Sequence, residues 1–307
     1  MFSNKEKGRY LVIVLLNVGL FVFLTERVFA LTISPVKMEI AGDPGQTLEG
    51  QLELFNEQDE TKTFYSSTAN FEARGESGAP YFLPETNTGL ASWIKIQESV
   101  VLKKGERQTI PFSIKIPQGT EAGGYFAAIF WGTSPPQAQE GGQIALGGKL
   151  GMLILLSVTG ETKQSGGLLD LKLLEGGRVV NSLPVVFAYR FSNDGRERIK
   201  PVGELKIKNI FGVTSAVLDA NKSEGNVLPG SIRKFTVLWH SRGQKIGDLT
   251  KMEELELMTR ITEEGKEKKG FFETAGNQWR NFAFGLYTAK LNLAYGKDNK
   301  TAEASYR

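Results

Sequence analysis

The 307-residue chain contains no cysteine and one histidine, His240. Without cysteine there is no disulfide framework, no thiolate nucleophile and no cysteine-acylated lipid anchor, so ordinary core packing has to hold the fold. A single histidine makes a Cys–His pair impossible and ties any Ser–His pair to His240, which follows an alternating strand on the face opposite Trp239 and reads as a surface residue. Excess charge of either sign is also missing. With 37 Lys+Arg against 34 Asp+Glu, nothing favours nucleic acid. The acidic residues gather in turns such as "EQDE" (57–60), where they are solvated, and no run has the ligand spacing of a calcium loop. The paired glycines fall at strand ends or in loops, not in a phosphate-cradling turn. These absences predict a non-enzymatic protein with no catalytic residue, no bound metal and no cofactor.

What is present begins with an export signal. Lys5, Lys7 and Arg9 precede an apolar run over 11–24, and Val28-Phe29-Ala30 supplies the small residues that a signal peptidase reads. Cleavage after Ala30 is expected, since about 14 apolar residues are short for a spanning helix. Removing 1–30 takes four Lys/Arg and two Asp/Glu, leaving 33 and 32. The mature chain is therefore expected to be extracytoplasmic, at the cell surface or in the envelope, with a membrane link only through an uncleaved signal or a further C-terminal anchor.

Beyond residue 30 the hydrophobic pattern has period two. Leu48, Gly50, Leu52 and Leu54 alternate with Glu49, Gln51 and Glu53; Ile110, Phe112, Ile114 and Ile116 alternate with Pro111, Ser113 and Lys115. Further strands are expected over 150–158, 168–174, 183–191, 203–208, 232–239 and 284–295, with turn residues at the spacing of a β-sandwich and no long helix outside the signal. The second half repeats the first: "VVLKKGERQTIPFSI" resembles "NVLPGSIRKFTVLW" at an offset of 125, and Gly123, Tyr125, Ala127 and Ile129 match Gly285, Tyr287, Ala289 and Leu291 at an offset of 162. The prediction is an all-β protein of two tandem immunoglobulin-like sandwiches, 31–160 and 161–307, the second closing on "TAEASYR". An insertion falls within 241–283. Alternation of Leu255, Leu257, Thr259 and Ile261 favours a projecting hairpin there over an amphipathic helix.

One strand departs from the half-buried pattern. "AGGYFAAIFWG" (122–132) is apolar on both faces, whereas the matching stretch of the second copy carries Thr288, Lys290 and Asn292 on the alternate face. Phe126, Ala128 and Phe130 therefore need a cover: the second sandwich, the 132–149 loop, the "YFLP" stretch at 81–84, or a partner. Tyr81 and Phe82 of the 72–90 loop, together with Phe126 and Phe130, are the candidate partner-binding residues.

The first half also carries, in order, "ISPVKMEIAGDPGQTLEGQLELFNEQDETKTF", "NFEARGESGAPYF", "LASWIKI" and "VVLKKGERQTIPFSIKIPQGTEAGGYFAAIFWG". This order resembles the peptidoglycan-binding domain of the WxL-interacting proteins, through 33–35, Pro44-Gly45, Asn70 with Gly78, 90–94 and 117–124. The resemblance covers 31 to about 160. It implies a bacterial surface scaffold of two immunoglobulin-like domains, the first associated with peptidoglycan and the second with other surface proteins. The second half matches only in outline, and the membrane helix and basic tail that the resemblance leads one to expect do not occur up to Arg307. The expected function is non-catalytic binding of cell-wall polymer or of another surface protein. The alternative is an assembly chaperone of the pilus-chaperone type, acting by strand addition, which needs an exposed edge strand and a basic anchor between its domains. A carbohydrate-active enzyme would instead need two carboxylates facing each other across a cleft.

Overall fold

The computed structural model describes residues 31–84, 88–135, 148–174, 183–264 and 286–307, and the fold is all-β. The first ten strands make two sheets. One runs β1 (Leu31–Ser34), β3 (Thr47–Asn56), β8 (Arg107–Lys115), β6 (Ile94–Ile96); the other runs β2 (Lys37–Gly42), β10 (Lys149–Val158), β9 (Gly123–Gly132), β4 (Lys62–Ala73), β5 (Pro80–Phe82), with β7 (Ser99–Leu102) also on β4. The N-terminal segment laces the two together: β1 pairs antiparallel with β3, and past the cis Ser34–Pro35 peptide β2 pairs parallel with β10. Period two does here what it must. Leu48, Leu52 and Leu54 of β3 turn inward to meet Ile110, Phe112 and Ile114 of β8, while Glu49 and Gln51 face water. A single helical turn, α1 (Leu90–Trp93), sets Trp93 half-buried against the Tyr125 ring, centroids 4.9 Å apart.

The remaining strands form a second pair of sheets, β11 (Gly166–Leu173), β12 (Val185–Asn193), β15 (Ser231–Trp239) and β14 (Thr214–Asp219), β13 (Val202–Asn209), β16 (Tyr287–Tyr295), β17 (Lys300–Tyr306). Their core stacks Tyr189 on Phe235 at 4.9 Å and gives the buried Tyr189 hydroxyl a partner in the Ala220 carbonyl, 3.0 Å away. The final strand lies over "TAEASYR", with Tyr306 opposite Ala289. The repeat is visible in the backbone: Gly105 and Gly230, which lead into the matching strands β8 and β15, have φ of 67° and 65°.

A second correspondence joins the halves through two fully buried asparagines, each at the end of a strand. Asn56 donates Nδ2 to the carbonyls of Glu60, Leu102 and Lys103, and its Oδ1 accepts from Gln58 N. Asn193 donates to the carbonyls of Glu197 and Val227 and accepts from Gly195 N. Each side chain thereby replaces ladder hydrogen bonds where the strand has ended.

The insertion corrects the hairpin expectation, and with it the expectation of no long helix. Residues 251–264 form α2 (Lys251–Glu264), capped by Thr250 and Glu253: Glu253 N donates to Thr250 Oγ1 and Thr250 N to Glu253 Oε2. Over 251–259, Glu254, Leu257 and Met258 are half-buried, a spacing of three and four that belongs to a helix. Residues 265–283 of the insertion, 284–285 of the expected strand and 136–147 of the expected 132–149 loop lie outside the described residues.

Candidate functional site: the cleft between the sandwiches

The two sandwiches meet along two seams. At the first, Gly124 N donates to the Arg196 carbonyl, Arg196 pairs with Glu121, and Arg198 reaches Ser157 Oγ (2.7 Å) and Glu39 (3.2 Å). At the second, the 74–80 segment of the first sandwich lies on β12 and β15. Glu76 takes Arg190 at 3.2 Å, and its carbonyl accepts from Lys234 N at 2.8 Å.

Glu39 is the hinge pin of the first seam, bound by Lys37, Arg198 and Asn226 Nδ2. Burial pushes its carboxyl up, but the hydrogen bonds from Lys37 and Asn226 and the charges of Arg198 and Lys37 outweigh that and bring it from 4.5 down to about 2. A depressed carboxyl stabilises the fold fully above its ordinary value and loses that contribution as pH falls through about 2. Glu39→Gln is expected to cost about 2 kcal/mol at neutral pH, discounted for partial exposure, with the deficit shrinking as the parent chain is acidified. Urea titrations of both chains across the acid range check this.

Between the seams lies a cavity of about 210 Å³. Its floor is the outer face of the first sandwich, with Phe71, Pro80, Leu153 and Leu155; its other wall is the 223–228 segment and Arg233. Asn221 shapes that wall by donating to the Pro201 and Gly225 carbonyls and accepting from Gly225 N, with Glu224 held at φ 51°. The Arg233 guanidinium is pressed between Gly78 of one sandwich and Gly225 of the other, where a Cβ on either glycine would overlap it. Nη1 donates to the Asn226 carbonyl at 2.8 Å, but Nε is buried without an acceptor, and among the described residues no carboxylate pairs with this cation. Burial lowers its pKa, an effect only partly offset by Tyr189. A desolvated guanidinium without an anion is a costly arrangement, and an incoming carboxylate would relieve it.

A free edge adjoins the cleft. Pairing of β10 with β2 starts at Leu153, so among the described residues Lys149–Met152 are paired only on the β9 side, and Leu150 is 41% exposed.

The structure brings three of the four sequence-chosen residues together and separates the fourth. Phe130, 5% exposed, packs edge-on against Phe82 at 4.9 Å; Phe82 meets Phe71 at 5.9 Å, and Phe71 meets the half-buried Phe126 at 5.8 Å. The second face of β9 is thus covered by β5, and its margin runs into the cleft floor through Phe71. Tyr81 points the other way, under the Arg74 guanidinium, 3.4 Å from the ring centroid. Arg233 escaped sequence reasoning although its signal was present: it is in phase with Phe235, Val237 and Trp239, a charge at an inward-facing position. His240 Nε2 lies 3.2 Å from Ser241 Oγ, but its Nδ1 is buried without a partner, so no acid orients the ring as a general base. Among the described residues no cluster of His, Asp or Glu is arranged to hold a metal, and no helix is long and apolar enough to cross a membrane.

Neither a family model nor a curated protein matches the chain. Among solved structures it is similar to the class 5 fimbriae chaperone CfaA (13% identity, 66% of this chain and 84% of that one, TM-score 0.38). It is also similar to the CsuC–CsuE chaperone–tip adhesion subunit pre-assembly complex of Acinetobacter baumannii (9%, 90% and 97%, TM-score 0.37) and to the E. coli chaperone DraB (10%, 91% and 98%, TM-score 0.33). All are distant, and the function proposed below rests on the cleft's own residues.

Proposed function

We propose that this is a non-catalytic extracytoplasmic binding protein that takes an extended segment of a protein partner into the cleft between its sandwiches, in the manner of an assembly chaperone. The observation that carries this reading is the Arg233 guanidinium, held over an apolar floor with no carboxylate partner among the described residues. Such a site fits a segment with apolar side chains and a carboxylate, either a C-terminus or an Asp/Glu. The open edge of β10 would give that segment main-chain hydrogen bonds, and the floor would take alternate side chains.

The test uses a fluorescent, β-prone heptapeptide with a free C-terminal carboxylate and the same peptide as its amide. The carboxylate form should bind the chain from Leu31 onward about tenfold more tightly, a difference of ~1.4 kcal/mol, and Arg233→Gln should erase that preference. Equal binding of the two peptides by the parent chain, or retention on cell-wall sacculi with no peptide binding, would overturn the reading; the latter would favour the wall scaffold.

A further inference from the structure

The strongest apolar exposure lies far from the cleft. β13 starts just beyond the Arg196–Arg198 seam and runs eight residues away from it, about 25 Å at strand rise, into the turn 210–213. There Ile210, Phe211 and Val213 are 64%, 81% and 61% exposed. Leu286, 78% exposed, joins them, because the next residue, Tyr287, pairs with Asn209. Four large apolar side chains from two chain segments therefore project at the distal end of the second sandwich.

The turn is built, not slack. Asn209 Oδ1 accepts from Phe211 N and Val213 N, Gly212 N donates to the Asn209 carbonyl, and Asn209 N donates to the Val213 carbonyl. Phe211, Gly212 and Val213 thus spend their amide hydrogens inside the turn. A tip with three of its four backbone donors satisfied orphans few of them on entering a low-dielectric medium, which lowers the cost of contact with hydrocarbon. Its surroundings hold more cations than carboxylates. The backbone of Gly243 is bonded to Ser215 and that of Gln244 to Val217, which brings the 240–247 segment alongside β14. Five Lys/Arg lie there (Lys206, Lys208, Arg242, Lys245, Lys290); Lys206 is paired with Glu204 and Lys290 with Glu303 at 2.8 Å, so the charge argument rests on Lys208. Lys208, exposed and one residue behind Asn209, has no carboxylate partner among the described residues. The patch is a protruding tip with cations set back from it, the layout that places apolar groups among acyl chains and lysines at anionic headgroups.

We infer that the Ile210–Val213 turn with Leu286 is a membrane-contact tip that inserts into an anionic lipid surface. The inference is independent of the cleft. With Phe211→Trp as reporter in the chain from Leu31 onward, vesicles of phosphatidylcholine mixed with phosphatidylglycerol should shift the added tryptophan's emission to the blue, and phosphatidylcholine alone should do so less. Replacing Ile210, Phe211 and Val213 by serine, with Asn209 and Gly212 kept, should lower co-sedimentation with the mixed vesicles by roughly tenfold or more while leaving unfolding and peptide binding unchanged. Lys208→Glu should weaken binding on the anionic vesicles only. No blue shift and no co-sedimentation would overturn the inference. So would a concentration-dependent dimer abolished by the triple serine variant, which would assign the tip to a second copy of the chain.

Discussion

Replacing Asn193 by alanine is expected to lower the unfolding free energy of the second sandwich by about 3 kcal/mol, because three hydrogen bonds, two of them buried, disappear together and leave the Glu197 carbonyl and the Gly195 amide without the partner that Asn193 supplies, while the Val227 carbonyl keeps only Ile199 N. Asn56→Ala should cost the first sandwich a similar amount, since its Nδ2 serves three carbonyls and its Oδ1 one amide. Aspartate should not rescue either position, because a carboxylate oxygen in place of Nδ2 would face those carbonyls with no proton to share. Urea unfolding of single-tryptophan chains, one keeping Trp131 in the first sandwich and one keeping Trp239 in the second, reads the two domains separately. A loss under about 1 kcal/mol for both alanine variants would mean that water fills the vacated positions and that the asparagines are not structural pins. Asn193 also bears on the cleft: the turn that it closes leads into Arg196 and Arg198, which clip the second sandwich to the first. Its loss should weaken the peptide preference proposed for Arg233 as well as stability.

The pairing of these asparagines marks the boundary of what the sequence can disclose. "EQDE" reads as a turn and is one, directly after Asn56; the carbonyls that hold Asn56 and Asn193 lie as far as 47 and 34 residues away, and no local pattern carries that information. Strands with one wet face were legible because alternation is itself a statement about burial, and β3, β8, β13 and β15 lie over the residues that alternate. The helix α2 was misread for the opposite reason. Leu255, Leu257 and Ile261 mimic period two, and the alternation reading takes no account of Thr250 with Glu253 or of the run of strong helix formers that follows. The apolar second face of β9 was legible, and the YFLP stretch was among its possible covers; only the fold singles it out, through Phe82, because β5 has three residues, too few for a period. Arg233 was legible in kind, as a charge on an inward face, yet only the fold shows that a cleft opens beside it.

Phe130→Ala is the substitution that separates a covered face from a binding face. The ring is 5% exposed and seated against Phe82, with Ala69 and Ala128 around it, so truncation leaves a cavity and should cost about 3 kcal/mol. Tyr81→Ala, one residue from Phe82 but on the opposite face of β5, removes a 36%-exposed ring that covers Arg74 and should change stability by less than about 1 kcal/mol. The same urea titration measures both. Equal effects would mean that β5 does not lock onto β9 as described. The consequence of Phe130→Ala should extend beyond stability. Phe82 anchors β5 through the Phe71 and Phe130 rings, while Pro80 and Gly78 of the same segment form part of the cleft, Gly78 lying flat on Arg233. Loosening β5 would free that guanidinium from one of its two flanking glycines and let water reach it. The preference for a carboxylate peptide over its amide should then fall even though no residue in contact with the carboxylate has changed.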